Sequence, residues 1–136
     1  MIMKYWLLKS DPETYSWESL IEDKKTDWTG VRNYQARNNL KDMKLGDLAL
    51  FYHSQKEKAI VGIAQIVKEY YQDPTTDDTH WVAVDIAPVE TFKKPVTLAQ
   101  IKEDPQLKNI GLLKQSRLSV IPVTNEEYNE IIKLSK

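Results

Sequence analysis

The chain has 136 residues, 41% of them hydrophobic and 29% charged, with a formal net charge of −1. A chain of that length buries roughly two thirds of its unfolded surface in one domain, and its near-neutral balance argues against a protein that coats duplex nucleic acid through backbone attraction alone. The absence of cysteine excludes disulfides, thiolate catalysis and cysteine-based zinc sites, and no apolar run reaches the ~20 residues a membrane helix needs, so residues 1–136 read as a single cytoplasmic domain with no membrane partner.

Lys4–Leu8 is aromatic and apolar and stops at Ser10-Asp11-Pro12, which predicts a strand. Ser16–Glu22 suits a short helix opened by Ser16, with Trp17 as a core anchor beside Leu20 and Ile21. Asn33–Met43 is expected as a second helix on which Tyr34, Arg37 and Asn38 share a face. Gly46 permits a tight turn into the apolar strand Leu48–Tyr52. Ala59–Val67 is apolar almost throughout and predicts a strand covered on both faces, with Lys56-Glu57-Lys58 as the exposed connection before it. Asp73–Asp78 lacks the alternating ligand spacing of a calcium loop and is expected as a solvated linker. His80–Ala87 reads as a strand that Pro88 ends. Thr97 and Gln100 cap a short helix before Asp104-Pro105, Leu118–Val123 is a short strand, and Thr124-Asn125-Glu126-Glu127 is a capping box opening the last helix.

Five or more short strands with a few helices at irregular spacing do not make a doubly wound parallel sheet. The pattern predicts an α+β fold, a curled mixed or barrel-like sheet with short helices packed around it. Charge is spread unevenly: Arg32–Lys44 carries four bases and one acid, Lys108–Arg117 three bases and no acid, and Glu69–Glu90 six acids and no Lys or Arg. If the two basic segments meet, they form a positive face suited to phosphates, and the acidic segment forms a side repelled from them.

The densest chemistry lies in Asp27–Asn39. The rings of Trp28 and Tyr34 can stack on a base, Asn33 and Asn38 can donate to and accept from a base edge, and the forked guanidinium groups of Arg32 and Arg37 suit phosphate oxygens. Each has a structural alternative, Trp28 as a core platform and Arg37 as a clamp on a carboxylate. Lys114–Val120 is a second polar cluster, in which strand alternation puts Arg117 and Ser119 on one face; a surface edge strand is the plainer explanation. The only histidines, His53 and His80, are too far apart in sequence for a helical zinc motif, so no metal or cofactor is expected. His53 can serve as a pocket hydrogen-bonding residue, a loop holder, or a general base beside Ser10, Ser54 or Ser116. No glycine-flanked nucleophile turn and no phosphate-cradling glycine loop accompanies it.

Taken together, Tyr5-Trp6-Leu7-Leu8-Lys9-Ser10-Asp11-Pro12, Tyr15-Ser16-Trp17, Trp28-Thr29-Gly30-Val31-Arg32-Asn33-Tyr34-Gln35-Ala36-Arg37-Asn38, Phe51-Tyr52-His53-Ser54 and Gln115-Ser116-Arg117-Leu118-Ser119-Val120 resemble the EVE domain family, in its order and over nearly the whole chain. The resemblance implies a standalone EVE domain with a PUA-like pseudobarrel, related to the YTH readers of methylated adenine in RNA and to ASCH domains. It implies noncatalytic binding of a modified base, cytosine in DNA or a base in RNA, flipped into a pocket, with a separate effector protein as a possible partner. The pocket would draw on Ser10, Trp28, Asn33, Tyr34, Tyr52, His53, Ser54 and Ser119, with Lys9, Arg32, Arg37, Asn38, Lys114 and Arg117 at its rim or on phosphates. A binder of a free nucleoside-like metabolite, with a closed pocket and no basic rim, stays open as an alternative. So does a small nucleotide or amide hydrolase using His53, for which Lys9 beside Glu18 would be the structural sign.

Overall fold

The most apolar segment of the chain sits where that composition belongs, in the middle of a sheet. In a computed structural model, which describes residues 3–136, the strands are β1 (Tyr5–Ser10), β2 (Thr26–Trp28), β3 (Leu48–His53), β4 (Ala59–Gln72), β5 (Val82–Thr97) and β6 (Val120–Val123). They form one six-stranded mixed sheet in the order β2-β5-β4-β3-β1-β6. β1 runs parallel to β3, bringing Ser10 opposite His53, and every other pair is antiparallel. The helices are α1 (Trp17–Asp23), α2 (Tyr34–Asp42), α3 (Leu98–Glu103), α4 (Gly111–Lys114) and α5 (Asn125–Leu134), with a 3-10 turn at Pro105–Leu107.

The sheet curls, as the irregular spacing of strands and helices predicts. Trp28 of edge strand β2 and Lys9 and Ser10 of β1 line one cleft, so the two ends of the strand order face each other. Helix α2 bridges the gap between them. Asn39 Nδ2 donates to the Val120 carbonyl of β6 at 2.7 Å, while Arg37 Nη1 donates to the His80 carbonyl just before β5 at 3.3 Å. Leu7, Leu50, Ile60, Ile66 and Ile86, all fully buried, fill the interior from successive strands.

Trp17 is a core anchor, 3% exposed, and its fit depends on a glycine in β4. A Cβ on Gly62 would come within 2.4 Å of the Trp17 ring and 2.8 Å of the Glu90 carbonyl oxygen, so only hydrogen fits there. The expected caps form on α1, where Ser16 accepts from Ser19 N, and as capping boxes on α3 and α5.

Three expectations are corrected. Pro88 does not end its strand: the register shifts between Ile63, paired with Glu90, and Ala64, paired with Pro88, and this bulge absorbs the missing N–H so that β5 runs on to Thr97. The strand expected at Leu118–Val123 is confined to Val120–Val123, where Pro122 is tolerated because β6 is an edge. Arg117 therefore lies in the preceding turn and does not share a strand face with Ser119. β2 was not legible at all, being three residues long and held by pairing Trp28 with Val84 of β5.

Candidate functional site

A cleft of about 510 Å³ opens where the end of β1, the strand β2 with its following loop, and the segment before β6 converge. Of the residues singled out in the sequence, Lys9, Ser10, Trp28, Arg32 and Ser119 line it, joined by Asp11, Thr14, Tyr15, Thr26, Asp27, Thr29, Gly30 and Val31. Trp28 meets Phe51 edge-on, with centroids 5.7 Å apart and planes at 81°, so the core supports the half-buried indole from behind. Ser10 Oγ donates to the Tyr15 carbonyl at 2.5 Å, and the Thr14 and Tyr15 amides donate to the Asp11 carbonyl, folding the segment after β1 into one wall. Lys9 closes another side: its amide donates to the Ser119 carbonyl at 2.9 Å and its Nζ to the Ser116 carbonyl at 2.6 Å. Burial pushes the Lys9 ammonium below the usual lysine range and the Tyr15 phenol above its own.

The residue that organises the third wall was assigned to a solvated linker, and that expectation is corrected. Asp73 is fully buried. Its Oδ2 accepts from Gly30 N at 2.8 Å and from Arg32 Nη1 at 3.0 Å, and its Oδ1 accepts from the Thr75 amide and hydroxyl at 2.7 and 2.6 Å. Burial alone would raise its pKa, but these donors outweigh it and hold the carboxyl at about 2. Gly30 sits at φ +82°, in the left-handed region, which turns the chain from β2 so that its N–H faces Asp73. One charge of the acidic segment is therefore consumed inside the fold, in fixing Arg32, while Glu69, Asp77, Asp78 and Glu90 stay exposed. Only the position of Asp73 before Pro74, at the end of a strand, hinted at an internal role.

The other predicted residues lie elsewhere. Asn33 is the N-cap of α2, its Oδ1 accepting from Ala36 N at 2.9 Å. Tyr34 stacks on Trp81 at 5.0 Å, with the Arg37 guanidinium 5.0 Å from the Tyr34 ring centre, and Arg37 Nη2 donates to Asn38 Oδ1 at 2.7 Å. Tyr52 is buried. His53 does not share the cleft with Trp28: it lines a separate, largely apolar cavity of about 740 Å³ with Trp17, Glu18, Ile21, Glu57 and Phe92. There its Nε2 accepts from Trp17 N at 3.0 Å, which fixes Nδ1 as the protonated nitrogen facing Glu57. That contact holds the Glu57 carboxyl below its usual range. Ser54 donates its amide to the Ser10 carbonyl, tying β3 to the cleft from outside. Lys114 is exposed at the end of α4. Arg117 lies in a shallow groove with Asn33, Gln35, Gln115 and Ser116, where Gln35 Nε2 donates to Gln115 Oε1 at 2.8 Å. The two basic segments thus do meet, beside the cleft.

This arrangement suits recognition better than bond cleavage. Both ring nitrogens of His53 are engaged by Trp17 and Glu57, and the Ser10 hydroxyl is turned to a carbonyl, so the candidate serine and base are not aligned. Lys9 and Glu18 line different cavities. Among the described residues, no three His, Asp or Glu side chains gather in a group that could hold a metal ion, and no helix is long and apolar enough to cross a membrane.

Comparison with known proteins gives the same outline. Human thymocyte nuclear protein 1 is 38% identical over 169 aligned residues, covering 99% of this chain and 75% of that protein. A crystal structure of the human THYN1 protein in complex with DNA containing 5-methylcytosine matches with a TM-score of 0.92 and 37% identity, over 98% of each chain. An ASCH protein from Zymomonas mobilis shares the architecture alone, with a TM-score of 0.61 at 13% identity over 96% of this chain and 98% of that one. The fold is therefore the PUA-like pseudobarrel that the sequence implied. The expectation of a cytoplasmic protein is overturned, because the human, chicken and mouse relatives are named for the nucleus. A model of the EVE domain matches residues 4–134, and the chain belongs to the EVE domain family.

Proposed function

We propose that this protein binds modified cytosine in DNA, without catalysis, by receiving the extruded base in the cleft backed by Trp28. The observation that carries this reading is the cleft itself: an indole supported by Phe51, facing hydroxyl and amide groups, with Lys9 and Arg32 at its edge. An indole stacks on any base face, while hydroxyls and backbone groups read an edge. The methylcytosine DNA bound by the human THYN1 protein, 37% identical to this chain, names the modification to try first. A methyl group buried against apolar surface contributes about 0.8 kcal/mol, enough for roughly fourfold preference.

The free-metabolite reading calls for an enclosed pocket without basic residues. Here Thr14, Gly30 and Arg32 are exposed around the cleft and Arg117 lies in the groove beside it, which favours a polymer. The test is a panel of matched DNA and RNA oligonucleotides with and without base modifications, run on the native chain and on Trp28→Ala. Preference for a modified DNA base, with affinity for it lowered by on the order of 1–3 kcal/mol in a folded Trp28→Ala, supports the reading. Equal affinity across the panel leaves only backbone attraction, and preference for a modified RNA base moves the ligand to RNA.

A further inference from the structure

Extruding a base from a duplex leaves a hole in the stack and an unpaired partner base, at a cost of a few kcal/mol that bound proteins often offset by inserting an apolar or aromatic side chain. The cleft accounts for the extruded base, but not for that hole. Outside the cleft, four side chains form a continuous pile: Arg32 over Trp81 at 5.6 Å, Trp81 on Tyr34 at 5.0 Å and 30°, and Arg37 over Tyr34 at 5.0 Å. Arg32 belongs to both the pile and the cleft wall, so the two are contiguous.

The pile is held in place from several sides. Asp73 fixes Arg32, the Asp73 amide donates to the Trp81 carbonyl at 2.9 Å, and Arg37 donates to both His80 and Asn38. Yet Tyr34, on the first turn of α2, is 57% exposed. A large aromatic ring fixed in place, open to solvent and bracketed by guanidinium groups is poorly explained by core packing. It suits contact with a polyanion that presents a base, since the exposed ring edge can wedge against a base while the cations meet phosphates.

We propose that the Tyr34–Trp81 pile is a second DNA contact, with the exposed edge of Tyr34 entering the duplex as a wedge where the base has left and meeting its unpaired partner. This rests on the cleft reading and adds to it a preference for double-stranded over single-stranded DNA.

The experiment compares the native protein, Tyr34→Ala and Tyr34→Phe on two probes: a duplex with one 5-methylcytosine, and the same methylated strand alone. Tyr34→Ala should weaken duplex binding by on the order of tenfold and single-strand binding by less than about twofold, with Tyr34→Phe restoring the duplex value. Equal loss on both probes, or no loss on the duplex, overturns the proposal. The unmethylated duplex, run beside them, separates the two ideas: absence of methyl preference in the native protein removes the cleft reading, whereas the Tyr34→Ala comparison judges the pile.

Discussion

Asp73 shows how one side chain can shape a surface it never reaches. Its carboxylate lies fully buried, and through Gly30 N and Arg32 it connects the end of β4 to the loop after β2. A carboxyl held at about 2 is stabilised by its donors when ionised. The folded value lies below the unfolded one, so this contribution is complete above roughly pH 5 and is lost as pH falls through about 2. The shift corresponds to on the order of 2 kcal/mol at neutral pH. Asp73→Asn should therefore lower stability by about that amount at pH 7, with the gap to the native protein narrowing below about pH 5 and closing only as pH falls through about 2 in denaturant titrations. A gap that stayed constant from pH 7 to pH 2 would mean that the charge plays no part.

At the scale of elements, α2 carries the most instructive division of labour. Its first turn was expected to give base-edge contacts from Asn33, but the side-chain oxygen is used to cap the helix. Asn33→Ala should cost about 1 kcal/mol of stability in thermal or chemical denaturation and leave preference for a modified base intact. Loss of that preference at unchanged stability would assign Asn33 to the ligand instead. Much of this layer was legible in the sequence, because capping boxes, apolar runs and helical spacing are local: Ser16, Thr97 and Thr124 all cap where expected. What could not be read was set by partners far along the chain. β2 exists through β5, Pro88 is tolerated through a bulge against β4, and His53 is drawn away from the cleft by the backbone of Trp17. Residue inventory found Trp28, Arg32 and Ser119 and the family resemblance added Lys9 and Ser10, whereas Asp73 and the Tyr15 wall depend on which loops the curled sheet brings together.

For the molecule as a whole, a net charge of −1 conceals a basic margin made by segments remote in sequence. Gln35 and Gln115 join them next to Arg117. Each cation that meets a phosphate should contribute about 0.9 to the slope of log affinity against log salt for duplex DNA. Arg117→Ala is accordingly expected to make that slope shallower by about 0.9 and to weaken modified and unmodified DNA alike. An unchanged slope would place Arg117 outside the interface. The cleft should behave in the opposite way, reading the modification with little dependence on salt, because the base is shielded there and the methyl group carries no charge. The most direct measurement is the ratio of affinities for two duplexes that differ by a single 5-methyl group on cytosine, taken at low and at high salt. A ratio of about fourfold or more that persists while both affinities fall is the predicted result; a ratio of one at every salt concentration would contradict the account.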